Sequence, residues 1–206
     1  MEENSGGPQV TTRGTTRRRR GARLAAAAFA ASVAVGGGAL AGAPSQASPA
    51  ASTGTSTCTT NWGSWAKTKP EYSWSQILRV RAGQHTCYDR MVVDLRGTLR
   101  GYDVRYAPVY TEGQGKRVWL RGDGDLRVIV RGPAYNSRGE ATYNPRSKLH
   151  AVDVTGFRTF RQIAFAGSFE GQSTFGIGTR ARLPMRAFIL KHEGGSKLVI
   201  DVAHRW

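Results

Sequence analysis

The chain has 206 residues, and its 30 lysines and arginines outweigh 14 aspartates and glutamates to give a formal net charge of +16. An apolar fraction of 39% argues against a fully disordered chain and against a protein with many membrane spans. A chain of this length suits one domain that buries enough surface to fold without a metal. The strong positive charge favours an anionic partner.

The N-terminal segment has the pattern of an export signal. A polar region ending in a run of arginines precedes a mild, alanine-rich apolar stretch at 24–40. Two small-x-small sites follow, ending at Ala43 and Ala47, and cleavage after Ala43 would leave Pro44 first. We therefore predict a signal peptide at 1–47, cleaved after Ala47, with the Sec and twin-arginine routes both open. The mature protein is then secreted, extracellular or cell-wall associated, without a stable membrane span.

The next segment, 48–60, is rich in Ser, Thr and Ala and carries no charge, which predicts a flexible linker before a domain at 61–206. The two cysteines are Cys58 and Cys87. In an oxidising compartment we expect them to form one disulfide. Neither cysteine has the Cys-x-x-Cys or Cys/His spacing of a metal-binding or redox-active thiol, so a structural role is favoured.

Most of the remaining chain reads as short strands rich in Val, Ile, Tyr and Phe. Apolar and polar residues alternate with period two between clusters of Gly, Pro, Asn and Asp, which is typical of β-strands. No segment has a sustained apolar stripe of helical period, so we predict an all-β fold, an antiparallel β-sandwich or barrel. About nine strands are expected, at 77–81, 91–95, 102–106, 118–120, 126–130, 163–165, 169–177, 187–190 and 198–202.

Two hexamers in this pattern resemble each other. Residues 90–95 (RMVVDL) and 197–202 (KLVIDV) agree position by position as basic, apolar, Val, β-branched, Asp and aliphatic. We expect them to be equivalent strands in two similar sheets, although chance similarity between β-strands is the alternative. Their aspartates are expected to pair with arginines inside the fold.

The hexamers resemble the signature of AMIN domains, the β-sandwich modules attached to cell-wall amidases and to secretin pilotage proteins. More specifically, the chain resembles actinobacterial AMIN-like secreted proteins and lipoproteins, over nearly all of 58–206. This resemblance implies a non-enzymatic envelope domain that directs its partner to peptidoglycan. No amidase domain follows here, so we expect the domain to serve another protein or to act alone. The resemblance is carried by residues 61–64, 80–90, 101–106, 166–172, 180–184 and 201–206.

Candidate ligand residues lie near the hexamers and in the distinctive segments. Arginine forks match carboxylates and phosphates. Arg180, Arg182 and Arg186 bracket residues 183–185, and alternating arginines on a strand would point to one face. Aromatic side chains could stack on sugar rings, although packing is the expected role for most of Trp62, Trp65, Trp74 and Trp119. The candidate ligand-binding residues are Arg81, His85, Tyr88, Arg90, Glu170, Arg180, Arg182, Arg186, His204 and Arg205.

The expected function is therefore non-catalytic binding of the cell envelope, through peptidoglycan or its anionic polymers. Basic residues are spread along an exported chain, so no nucleic-acid partner is expected. We expect no catalytic residue, metal or cofactor, since zinc motifs and a nucleophile elbow are missing from the sequence. A protein-interaction module for an envelope machine is the alternative. A cell-wall hydrolase using Ser168 and His204 is a third interpretation.

Overall fold

Residues 58–206 are described by a computed structural model, and they are all-β. The predicted signal peptide and most of the predicted linker lie outside these residues. No helix in 58–206 is long and apolar enough to cross a membrane. The strands are β1 (Lys67–Lys69), β2 (Gln76–Gln84), β3 (Tyr88–Arg96), β4 (Tyr102–Tyr106), β5 (Val109–Tyr110), β6 (Arg117–Val118), β7 (Gly124–Val130), β8 (Phe160–Phe169), β9 (Gln172–Thr179), β10 (Met185–His192) and β11 (Gly195–Ala203).

The strands form two main antiparallel sheets that pack as a sandwich, which confirms the predicted fold class. One sheet has five strands in the order β1-β4-β7-β9-β8, and the other has four in the order β10-β11-β3-β2. Between them lies the core, where Val93 and Leu198 of the four-stranded sheet and Val128 and Phe175 of the five-stranded sheet are fully buried. Strand alternation directs these side chains inward and leaves each sheet a second, outer face.

The predicted strand at 169–177 is wrong, because the chain reverses direction within it. β8 ends at Phe169 and β9 begins at Gln172. Glu170 and Gly171 form the connecting turn with φ angles of 47° and 78°. Two successive positive φ angles match the twist of the flanking strands, but a Glu-Gly pair is a weak turn signal in a sequence. The short strands β1 and β5 were also not predicted, since two or three residues cannot reveal a period.

The two hexamers lie side by side in one sheet, which corrects the expectation of equivalent strands in two sheets. They form most of β3 and β11, which pair antiparallel. Each is flanked by the other strand of its own hairpin, β2 or β10. The four-stranded sheet is thus built from two similar hairpins related by an approximate two-fold axis between β3 and β11.

The outer face of the five-stranded sheet is covered by the β5–β6 hairpin. At Gly176 in β9, the cover packs so closely that a Cβ atom would lie 2.9 Å from the end of the Leu120 side chain. The hairpin therefore buries part of this face. The small second core beneath it comprises Val109, Val118, Ala164 and Ala166.

The predicted disulfide between Cys58 and Cys87 is confirmed, with the two Cα atoms 5.3 Å apart. It ties the segment before β1 to the β2–β3 turn. The same segment is held at a second point, where the N–H of Met185 donates to the carbonyl of Gly63 at 2.8 Å. These two attachments place Trp62, which lies between them, beside the start of β10.

Candidate functional site

The candidate site lies on the outer face of the four-stranded sheet, where the two hexamers present their charged residues. Their register sets Arg90 opposite Asp201 and Lys197 opposite Asp94, so each hexamer places its basic residue against the aspartate of the other. Flanking arginines of β2 and β10 join them. We call this surface the basic face and define it as Arg79, Arg81, Arg90, Asp94, Arg186 and Asp201.

Asp201 is fully buried and is shared by two arginines. Arg90 donates to both carboxylate oxygens, from Nε at 2.6 Å and from Nη2 at 2.9 Å. Arg186 donates from Nε at 2.8 Å. The hydrogen bond with Asp201 raises the pKa of Arg90 above its ordinary value. Two cations for one anion leave a positive charge at this position, and both guanidiniums are held in fixed orientations.

Aromatic rings frame the two guanidiniums. The central carbon of the Arg186 guanidinium lies 4.3 Å from the centre of the Trp62 ring and 5.3 Å from that of Phe188. Tyr88 lies 5.1 Å from the corresponding carbon of Arg90. The electron-rich face of an aromatic ring attracts a cation, so these contacts favour the observed positions of the two guanidiniums. The Arg186 side chain nevertheless remains 40% exposed, so the frame orients it without removing it from solvent.

Asp94 forms the second cluster of the basic face. Its carboxylate accepts hydrogen bonds from Nε of Arg79 at 3.1 Å and from Nε of Arg81 at 3.0 Å. Burial opposes ionisation of Asp94, but the bonds and charges of Arg81 and Arg79 outweigh it and hold the pKa below its ordinary value. The two arginine side chains are 69% and 43% exposed. Each hexamer aspartate thus has two arginine partners, as expected for its pairing, and the face keeps a positive surplus.

Of the two predicted histidines, His85 lies beside the basic face, whereas His204 connects the C-terminal segment to buried Asp89. The His85 ring stacks on Tyr88 with 4.5 Å between ring centres. His204 contacts the buried Asp89 carboxylate through Nε2 at 2.9 Å and the Thr86 carbonyl through Nδ1 at 3.1 Å. Both ring nitrogens therefore lie at hydrogen-bond distance from an oxygen acceptor. His204 therefore fastens the C-terminal end to the β2–β3 turn.

The expectation that Arg180, Arg182 and Arg186 alternate along one strand is wrong. Only Arg186 lies in β10, because the first two precede Pro184, which cannot donate to a strand ladder. Arg180 donates to a carbonyl near the C-terminus. Arg182 donates from Nε to the hydroxyl of Ser64 at 3.2 Å. These two arginines therefore hold the ends of the domain together and do not extend the face.

The remaining predicted residues lie apart. Arg205 is exposed in the segment after β11, and Glu170 is exposed in the β8–β9 turn of the other sheet. The predicted residues that the structure brings to the basic face or beside it are Arg81, His85, Tyr88, Arg90 and Arg186.

Two aromatic members of the site were not predicted as site residues. Phe188 lies two residues after Arg186 in β10, and side chains at this spacing share one face of a strand. This spacing is a signal that could have identified Phe188. Trp62 reaches the site only through tertiary contacts. Trp65, Trp74 and Trp119 do not pack in the core, since they are 78%, 61% and 77% exposed, and an interface role for them stays a prediction. Sequence alone does not distinguish a buried from an exposed tryptophan in a loop.

The groups considered for hydrolysis have other contacts. The Ser168 hydroxyl donates to the carbonyl of Gln172 at 2.9 Å and accepts from the N–H of Ala134 at 3.0 Å, so it supports the β8–β9 turn. Both ring nitrogens of His204 are engaged as described above. Within residues 58–206, no group of three or more His, Cys, Asp or Glu side chains is arranged to hold a metal ion.

Comparison with known proteins gives one family match. A family model described as the AMIN-like domain matches residues 75–204, a span that includes both hexamers and every strand except β1. No curated protein matches the chain significantly.

Proposed function

Because the chain belongs to the AMIN-like domain family, we propose that it is an exported cell-envelope binding module without catalytic activity, whose basic face holds anionic groups of peptidoglycan or its attached polymers. The family suggests an envelope-associated binding or interaction module. The disulfide and the family both fit an extracytoplasmic protein, since disulfides persist in oxidising compartments. The proposed organisation is a signal peptide at 1–47, a linker at 48–60 and the binding domain at 61–206.

The observation that carries this proposal is the sharing of each hexamer aspartate by two arginines. Asp94 and Asp201 fix the directions of four guanidiniums but neutralise only half of their charge. A solvated surface with random charges would not orient its arginines in this way. Fixed forks with surplus charge suit phosphate and carboxylate groups, which accept two parallel hydrogen bonds.

The aromatic frame supports the same ligand chemistry. Arg186 uses Nε for Asp201, and within residues 58–206 its terminal nitrogens form no hydrogen bond. Because Trp62 and Phe188 hold the plane of the guanidinium, less side-chain freedom is lost when a ligand binds. Arg186 and the exposed Arg79 occupy equivalent positions beside the two aspartates, so one polymer could meet two similar binding points along the sheet.

Co-sedimentation of the purified full chain with cell-wall sacculi tests this function. The measurement is the bound fraction over a salt series, before and after the phosphate polymers are stripped from the walls. We expect salt-sensitive binding, and loss on stripping would identify the polymer as the ligand. Binding that survives stripping would identify glycan or peptide. Absence of binding in every condition would overturn the proposal and favour the protein-interaction alternative.

A charge-matched comparison locates the binding surface. The double change Arg79→Gln and Arg186→Gln should weaken wall binding about tenfold and lower the salt slope by about 2. The control is the double change Arg138→Gln and Arg146→Gln, which removes the same charge from two exposed loop arginines, the first of them 79% exposed and paired with Glu140. Equal losses in the double variant and in the control would mean that overall charge, and not the basic face, determines binding.

A further inference from the structure

A second candidate site lies where β4 ends and β7 begins in the five-stranded sheet, in a cleft of about 450 Å³ beside the β5–β6 hairpin. Its most exposed large apolar side chain is Trp119, which directly follows β6 and is 77% exposed. The basic face does not include this cleft. The polar side chains that line it with Trp119 are Tyr106, Arg117, Asp123, Asp125 and Arg182.

Trp119 is exposed but held in place. The Arg117 guanidinium lies over the indole at 4.7 Å from the ring centre and over Tyr110 at 5.7 Å. Nη2 of Arg117 in turn donates to Asp125 of β7 at 2.7 Å. The cation covers one face of the indole, and the high exposure of the side chain leaves the opposite face to solvent. A flat apolar ring is therefore presented on a rigid support.

The charges in this cleft are balanced. Two guanidiniums, Arg117 and Arg182, face two carboxylates, Asp123 and Asp125. The cleft has no surplus charge to favour a phosphate or a carboxylate ligand, in contrast to the basic face. It does offer hydrogen-bond donors and acceptors around one apolar ring. A ligand that matches it has both apolar C–H groups and many hydroxyls, which is the chemistry of a sugar ring.

We propose that this cleft binds an uncharged saccharide, with one pyranose ring stacked on the open face of Trp119. The ring hydroxyls donate to Asp123 and accept from Arg182, which holds its own position through Ser64 and through the Tyr106 ring at 5.5 Å. This site is separate from the basic face, and the proposal stands whether or not that face binds a polymer.

Titration of the purified full chain with neutral oligosaccharides tests the site. The probes are the tetrasaccharides of β-1,4-linked N-acetylglucosamine, β-1,4-linked glucose and α-1,4-linked glucose. Two-dimensional NMR follows the indole N–H signals, and the Trp119 signal is assigned by its loss in Trp119→Ala. We expect at least one probe to shift this signal, with an affinity that is unchanged by salt because the ligand has no charge.

Matched variants distinguish saccharide binding in the cleft from nonspecific binding to any exposed tryptophan. Trp119→Ala should weaken binding about tenfold, and Asp123→Asn about threefold. The control is Trp65→Ala, which removes an equally exposed tryptophan, 78% against 77%. Failure of every probe to shift the Trp119 signal would overturn the proposal, as would equal losses in Trp119→Ala and Trp65→Ala. Wall binding through the basic face does not depend on this cleft, so either proposal can be overturned without the other.

Discussion

The outer faces of the two sheets use the same ion pair in different proportions. On the four-stranded sheet, each aspartate is shared by two arginines, as Asp201 is by Arg90 and Arg186. Over the five-stranded sheet, Arg117 of the covering hairpin forms a single pair with Asp125 of β7. The shared aspartates leave a surplus of positive charge, whereas the Arg117–Asp125 pair is balanced. The proportion of arginine to aspartate, and not the presence of the pair, therefore distinguishes the charge of the two regions.

The faces also differ in how they are supported. The basic face is built from the strands of one sheet and is completed by Trp62, from a segment that the disulfide anchors. The cleft with Trp119 depends on the β5–β6 hairpin, which packs on its own small core. Changes to one support should therefore affect one face more than the other, and this difference can be tested.

The largest expected effect is that of removing the disulfide. Replacing Cys58 and Cys87 with alanine opens a link across a sequence separation of 29 residues and should lower the free energy of unfolding by about 3.5 kcal/mol. Wall binding should also weaken, because Trp62 loses its anchor beside Arg186. Urea unfolding of the variant and of the oxidised protein measures the first effect. Unchanged wall binding in a folded variant would show that Trp62 does not complete the site.

A comparison of two aspartates should give the next largest difference. Asp201→Asn leaves two arginines beside a fully buried neutral group and should cost about 3 kcal/mol of unfolding free energy. Asp125→Asn, on the other sheet, removes the partner of one partly exposed arginine and should cost about 1 kcal/mol. Chemical denaturation of both variants measures these values. A larger loss for Asp125→Asn would reverse the proposed ranking of the two faces.

Weakening the hairpin cover should affect the cleft selectively. Val109 is fully buried in the second core, and Val109→Ala should cost about 2 kcal/mol through lost apolar burial and the cavity left behind. Saccharide binding at Trp119 should fall, because the hairpin holds this residue in place. Wall binding in co-sedimentation should stay at the level of the unmodified protein, and a parallel loss would mean that the two supports are coupled.

The smallest expected effect is a loss of stability in acid. Burial opposes ionisation of Asp94 and Asp103, but arginine partners, and Thr68 for Asp103, hold the pKa of each below its ordinary value. Their contribution is complete above the unfolded pKa of about 4 and is lost as the pH falls through the lower folded values. Each should contribute about 1 kcal/mol or less. Urea unfolding from neutral pH to acid should show a smaller acid loss in Asp94→Asn, and an unchanged profile would contradict this.

The sequence predicted much of the strand content and part of the site. The five candidates at the basic face, such as Arg81 and Arg90, adjoin or belong to β2, β3 and β10, where local alternation indicates a common face. Arg180 and Arg182 were misplaced because a strand pattern was extended across Pro184. Trp62 could not be predicted as a member of the site, since its neighbours in the fold are distant in the sequence.

The all-β class, the disulfide and the family signature can be read along the chain, because they rest on two-residue alternation, a single cysteine pair and the hexamers. The pairing of the hexamers, the sharing of each aspartate by two arginines and the exposure of Trp119 are visible only in the folded protein. Strand order, register and exposure depend on how both sheets bury their inner faces together, and no local pattern encodes this.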